Sequence, residues 1–225
     1  LAGLTLREKL AALLRARFAT LRALAHNPAP RPMDAACIIF SSGSTGTPKG
    51  VVLTHANLLS NLDALQTVVP VSHRDTLCAT LPFFHSFGYL GTIWWPLPAG
   101  IPTAFHANPL QAAQVVRLIR DTQATVLLTT PTLLQTYLRR AANGDFASLR
   151  NVFTGGEKLP VALADTFEQA VGFRPLEGYG ATELSPVVAM SLPNRTVGST
   201  LCVGNKPGSA GLPLPNLARK VVDPV

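Results

Sequence analysis

The decapeptide Ser41-Ser42-Gly43-Ser44-Thr45-Gly46-Thr47-Pro48-Lys49-Gly50 packs glycines, hydroxyls and one cation between two apolar runs. Glycine lets backbone amides converge on one spot, Ser and Thr add hydroxyl donors, and lysine adds charge. Together they can cradle a phosphate. The Walker loop is a different solution, with four residues between its glycines and Ser or Thr after its lysine. Here only Ser44 and Thr45 separate Gly43 from Gly46, Gly50 follows Lys49, and Val51-Val52-Leu53 reads as extended chain. A second group, Gly178-Tyr179-Gly180-Ala181-Thr182-Glu183, ends on a carboxylate. A carboxylate near phosphates suits Mg²⁺, a hard ion that takes oxygen ligands and keeps several waters. Gly155-Gly156-Glu157 follows a strand-like run, and ligands of open α/β sheets bind beyond the carboxyl ends of strands. Pro82-Phe83-Phe84-His85-Ser86-Phe87-Gly88 sets one imidazole among aromatic rings. The imidazole of His85 could orient or gate a ligand there. The plainer alternatives are a Gly/Ser hairpin turn, a tight Gly turn with a solvated Glu, an ordinary strand-to-helix turn and a structural histidine.

The elements that must position these groups follow from apolar period and punctuation. Thr5-Leu6-Arg7-Glu8 is a capping box. Leu6, Leu10, Leu13, Leu14, Phe18, Leu21 and Leu24 then recur at helical spacing beside Arg7, Lys9, Arg15, Arg17 and Arg22. That is an amphipathic basic helix, fit to pack on its own domain, a partner or a membrane surface. Asn27-Pro28-Ala29-Pro30-Arg31-Pro32 ends it and reads as a linker. Strands are expected over Cys37–Ser41, Val51–Leu53, Thr76–Leu81, Ile101–His106, Thr125–Thr129, Arg150–Thr154, Arg174–Glu177 and Leu217–Val222. Helices are expected from the Thr54 cap to Thr67, over Phe87–Leu97, from Pro109 to Asp121, from Pro131 to Ala142 and over Pro160–Ala170. Alternating strands and helices imply an α/β fold, a doubly wound, largely parallel sheet with a β-rich C-terminal addition. The expected divisions are 1–33, helix and linker; 34–190, the α/β core; and 191–225, the start of a β-rich subdomain.

Composition narrows the functional classes. The chain is 47% hydrophobic and 14% charged, which predicts a packed core rather than disorder. Its net charge of +7 favours anionic partners. No dense Lys/Arg tract supports nucleic acid as one of them. Cys37, Cys78 and Cys202 form no Cys-x-x-Cys pair, which predicts free, mostly buried thiols, no structural zinc and a cytoplasmic location. No run of about 18 apolar residues predicts a spanning helix, and no secretory leader is read at the start. No Gly-x-Ser-x-Gly elbow supports an α/β-type serine hydrolase.

The decapeptide and Gly178–Glu183, in this order, resemble the motifs of the AMP-forming acyl- and aryl-acid adenylating enzymes. The resemblance spans residues 35–223. It implies ATP and Mg²⁺, with Ser41, Ser44, Thr45 and Lys49 as donors to the β- and γ-phosphates and Gly46 and Thr47 in the same loop. It further implies Thr182 on the α-phosphate, Tyr179 and Gly180 beside adenine, Glu183 on the metal, Gly155, Gly156 and Glu157 lining the adenine site, and His85 near the acid. Many members of the family carry Ala where this chain has Glu157.

Leu81–Gly88 and Leu176–Val188 look most like the acyl–acyl-carrier-protein synthetase half of bifunctional 2-acylglycerophosphoethanolamine acyltransferases. That likeness implies a long-chain fatty acid, an acyl carrier protein as thiol acceptor, and a basic helix that links to a half working at the inner face of the membrane. The alternatives are a fatty acyl–coenzyme A ligase and a non-catalytic nucleotide-binding fragment. Members of the family continue with a ribose-binding Asp and a mobile domain carrying a catalytic Lys. Val225 precedes both, so little complete ligase activity is expected of these residues alone.

Overall fold

The computed structural model describes residues 5–8, 10–11, 30–42, 47–220 and 222. The expected amphipathic helix is described only at residues 6–8, 10 and 11, which are helical, and the rest of it lies outside the described residues. At its start Glu8 closes the capping box with Thr5.

Strands β1 (Ala35–Ser42) and β2 (Pro48–Thr54) pair antiparallel and bracket the glycine loop. Ser41 stands opposite Lys49 in this pairing. Strand alternation sorts its side chains. Cys37, Ile39, Val51 and Leu53 join a core, while Ile38, Phe40 and Val52 face outward. The Thr54 side chain then caps α1 (His55–Val68), with Asn57 closing a capping box. Leu58, Asn61, Leu62 and Leu65 of α1 fall at helical spacing and are buried.

Five parallel strands form one side of a seven-stranded sheet among the described residues. They are β3 (Leu77–Ala79), β4 (Thr103–Phe105), β5 (Val126–Thr129), β6 (Asn151–Thr154) and β7 (Leu176–Gly180), in the spatial order β4-β3-β5-β6-β7, with β4 at the edge. Beyond β7, β8 (Val187–Met190) and β11 (Leu212–Pro213) add antiparallel. The pair β9 (Arg195–Val197) and β10 (Thr200–Cys202) stands apart as a hairpin.

Both faces of this sheet are covered, which is why its strands are apolar throughout rather than alternating. Leu77, Ala79, Val126, Leu128 and Phe153 point to one core, where α1, Leu90 and Trp95 cover them. Cys78, Leu127 and Val152 point to the other. That second core is covered by α4 (Ala112–Thr122), α5 (Pro131–Arg140) and α6 (Val161–Val171). The expected doubly wound α/β fold is the one observed.

Three local expectations need correction. Phe87–Leu97 is not one helix. It is α2 (Ser86–Tyr89), a π-helical segment (Leu90–Trp94) and α3 (Pro96–Ala99). The Thr92 hydroxyl takes the Gly88 carbonyl, the Trp95 amide reaches back to Leu90, and Pro96 and Pro98 have no amide to give. The helix placed at Pro109 starts at Ala112, because Asn108 Oδ1 accepts the Leu110 amide in a local turn. Leu217–Val222 is not a strand: residues 217–220 and 222 pair with nothing described. A turn at Pro215–Asn216, with Asn216 at φ 66°, precedes this run. Among the described residues no helix is long and apolar enough to cross a membrane.

Candidate active site

Three turns leave the carboxyl ends of parallel strands and converge. After β3 the chain runs through Pro82 to His85 and enters α2. The Phe87 amide donates to His85 Nδ1 at 3.2 Å, so the imidazole caps this short helix. That bond fixes Nδ1 as acceptor and leaves Nε2–H as a donor in the neutral ring. His85 is exposed at the mouth of the cleft. After β6 comes Gly155-Gly156-Glu157, and a Cβ on Gly155 would sit 3.2 Å from the Phe87 ring. Glycine here lets the first turn lie against the second.

The third turn follows β7. The Ala181 amide donates to the Pro186 carbonyl at 2.9 Å, which folds Gly180–Pro186 back on itself. A Cβ on Gly180 would run into that same carbonyl, so no other residue fits. Thr182–Leu184 makes a single 3₁₀ turn. Across the cleft, Ser86 Oγ and Thr182 Oγ1 lie 3.1 Å apart. The cleft is lined by polar backbone and hydroxyls at Gly155, Gly156, Gly180 and Thr182, and by Phe87, Phe153 and Met190 at its apolar side. Its volume is about 180 Å³. Ligand pockets usually span roughly 300–1,000 Å³, so this is one wall of a site for anything as large as a nucleotide.

The expected residues are distributed as follows. His85, Gly155, Gly156, Tyr179, Gly180 and Thr182 line the one cleft. Glu183 stands exposed on the 3₁₀ turn beside it. Ser41, Thr47 and Lys49 sit at the tip of the β1–β2 hairpin, and β2 runs beside the Thr182–Leu184 turn. Ser44, Thr45 and Gly46 lie outside the described residues. Glu157 points elsewhere. Its carboxylate accepts from the Thr132 hydroxyl at 2.6 Å and the Thr132 amide at 3.3 Å, at the first turn of α5. A carboxylate suits a helix N-terminus, and this one caps α5 instead of reaching the cleft.

Two positioning groups carry no motif. Asn61 of α1 donates to the Val187 carbonyl at 2.7 Å and accepts the Val187 amide at 3.2 Å, which anchors the strand that closes the Gly180 turn. Its signal was a lone amide on the apolar stripe of α1. Glu177 Oε1 accepts the Leu159 amide at 3.1 Å and so pins the far end of the Gly155–Leu159 turn. Its signal was an acid one residue before Gly178.

A metal is tested by the donors present. Among the described residues, no three His, Cys, Asp or Glu side chains cluster as a metal cage. Glu183 alone suits an ion that arrives with phosphate oxygens and keeps its waters, as Mg²⁺ does.

The family model described as AMP-binding enzyme matches residues 5–225. The chain belongs to this family. Among curated relatives, probable 4-coumarate–CoA ligase 3 of Dictyostelium discoideum is 34% identical over 197 residues, which is 84% of this AMP-binding chain and 34% of that protein. The long-chain-fatty-acid–CoA ligase of Bacillus subtilis is 29% identical over 189 residues, 81% of this chain and 32% of that one. The chain spans about a third of the length of these relatives. Among solved structures, the anthranilate CoA ligase AuaEII in complex with anthranoyl-AMP superposes with a TM-score of 0.73 at 24% identity, over 87% of this chain and 37% of that one. That likeness bears on the fold.

Proposed function

We propose that this AMP-binding chain carries the nucleotide and acid side of an ATP-dependent acid–thiol ligase. The observation that supports this most is the convergence of the Gly155–Gly156 turn, the Gly178–Glu183 turn and His85 on one cleft, with the Lys49 hairpin strand beside it. In this reading a carboxylate oxygen of the acid attacks the α-phosphorus of ATP. An acyl–O–P bond forms, the bond to the bridging oxygen breaks, and pyrophosphate leaves. A thiol then attacks the acyl carbon, and AMP departs with the acid's oxygen. Both first reactants are anions, so the task is positioning and charge neutralisation.

Lys49, Ser41, Ser44, Thr45 and the loop amides would hold the outer phosphates. Thr182 would donate to the α-phosphate, Tyr179 would pack on adenine with Gly155 and Gly156, and His85 Nε2–H would orient the carboxylate. Glu183 would hold Mg²⁺, which supplies further charge neutralisation when bound.

The thiol acceptor in this reading is coenzyme A or an acyl carrier protein. The names of the relatives favour coenzyme A, and the Leu81–Gly88 and Leu176–Val188 motifs favour the carrier protein. The same motifs support a long-chain fatty acid. The test is carboxylate-dependent ATP–pyrophosphate exchange by the intact gene product, with palmitate against benzoate. Exchange with palmitate that disappears in Glu183→Ala is expected. Binding of Mg·ATP without exchange on any acid would instead support a nucleotide-binding module.

A further inference from the structure

Ser86 is part of no assigned role, yet among the described residues it makes the side-chain hydrogen bond between the turn after β3 and the turn after β7. Its hydroxyl lies 3.1 Å from Thr182 Oγ1, 96 positions away in the chain. The two ends differ in environment. Ser86 is 3% exposed, while Thr182 is half-buried and opens on the cleft.

Each hydroxyl owns a single proton, so the direction of the bond matters. Among the described residues Ser86 Oγ has no other hydrogen-bond partner. Were Thr182 to donate, the buried Ser86 proton would have no acceptor, at a desolvation cost that native structures avoid. Thr182 would also meet an anion with lone pairs alone. With Ser86 donating, the buried proton is satisfied and the Thr182 proton is free to point into the cleft. The Ser86 backbone is held for this. It opens α2 behind the His85 cap, and Gly88 lies so close to the Pro82 carbonyl that a side chain there could not fit. The flanking Phe87, Pro186 and Val187 are apolar and strengthen such a bond.

We propose that Ser86 is a positioning residue that donates to Thr182 Oγ1 and so keeps the Thr182 hydroxyl poised as a donor to a nucleotide phosphate. This rests on the nucleotide reading above. The role belongs to the phosphate, so it separates from adenine binding.

Calorimetric titration of the intact gene product with AMP and with adenosine tests it. Ser86→Ala is expected to weaken AMP by about 3- to 10-fold, the size of one hydrogen bond, and to leave adenosine unchanged. Ser86→Cys, similar in size with a weak S–H donor, falls between. In a Thr182→Val background, Ser86→Ala has no further effect on AMP. Unchanged AMP affinity in Ser86→Ala, equal losses for AMP and adenosine, or the same AMP loss with Thr182→Val already in place would each overturn the proposal. A wild-type protein that binds adenosine but gains nothing from the phosphate overturns it too. A wild type that binds neither ligand removes the nucleotide reading itself.

Discussion

Glu183 and Gly180 sit three residues apart and answer to different physics. The Glu183 carboxylate is exposed on one turn and touches no core. Glu183→Ala should therefore change thermal stability by under about 0.5 kcal/mol while removing acid-dependent exchange. A melting curve beside the exchange assay checks both halves, and a large drop in stability would mean the turn itself depends on the acid. Gly180→Ala should lower both stability and exchange. Its methyl meets the Pro186 carbonyl, which the Ala181 amide already holds. The turn must open, so urea stability and nucleotide binding should fall together. At this scale the lining of the cleft was legible: His85, Gly155, Gly156, Tyr179, Gly180 and Thr182 stand out in the sequence and line it together. Glu157 was not legible: a carboxylate three residues past a strand serves a helix N-terminus as readily as a ligand, and only the position of Thr132 decides between them.

Elements place these residues, and the decisive links between them are long-range. Asn61 ties α1 to Val187 through both backbone groups, 126 positions away. Asn61→Leu keeps the size but orphans a buried amide and carbonyl. Each unsatisfied group costs about 1–3 kcal/mol, so the urea midpoint should fall by several kcal/mol equivalent at unchanged slope. Asn61→Asp should not recover the loss while ionised, because its carboxylate would set a buried anionic oxygen against the Val187 carbonyl. Helix starts at Thr54 and Pro131 were legible from local capping chemistry. The break inside Phe87–Leu97 was not, since it depends on Thr92 turning its hydroxyl onto Gly88. Nor was the fate of Leu217–Val222, where apolar residues read as a strand but no ladder is formed among the described residues. The antiparallel pairing of β1 with β2 follows from the short connection between them, far below the dozen or so residues a crossover needs.

For the molecule as a whole, the sheet separates two cores, and Cys78 and Tyr137 are buried in the second. Burial pushes the Cys78 thiol from 9.0 up to about 12. Burial likewise pushes the Tyr137 phenol from 10.0 up to about 12, opposed by its contact with Thr80. Both groups stay neutral in the folded chain at pH values where the unfolded chain ionises. The folded state then binds more protons, so stability falls as pH rises. The contribution is complete below about pH 9 and is lost between there and pH 12. Urea midpoints at pH 7.5, 9 and 10.5 should decline in that order, and Cys78→Ala should flatten the first part of the slope. Cys202 is exposed, against the expectation of mostly buried thiols, and should alkylate well before Cys78 in the folded protein.

In the proposed function an acid is activated at the α-phosphorus of ATP in the cleft between the β3, β6 and β7 turns. The most direct measurement follows oxygen rather than rate. The intact gene product is incubated with ATP, Mg²⁺, coenzyme A and a fatty acid labelled with ¹⁸O in its carboxylate, and the nucleotide products are weighed by mass spectrometry. Label in AMP, with pyrophosphate released and both lost in Glu183→Ala, is the predicted result. Label in inorganic phosphate, with ADP as the nucleotide product, would mean attack at the γ-phosphorus and would contradict the account.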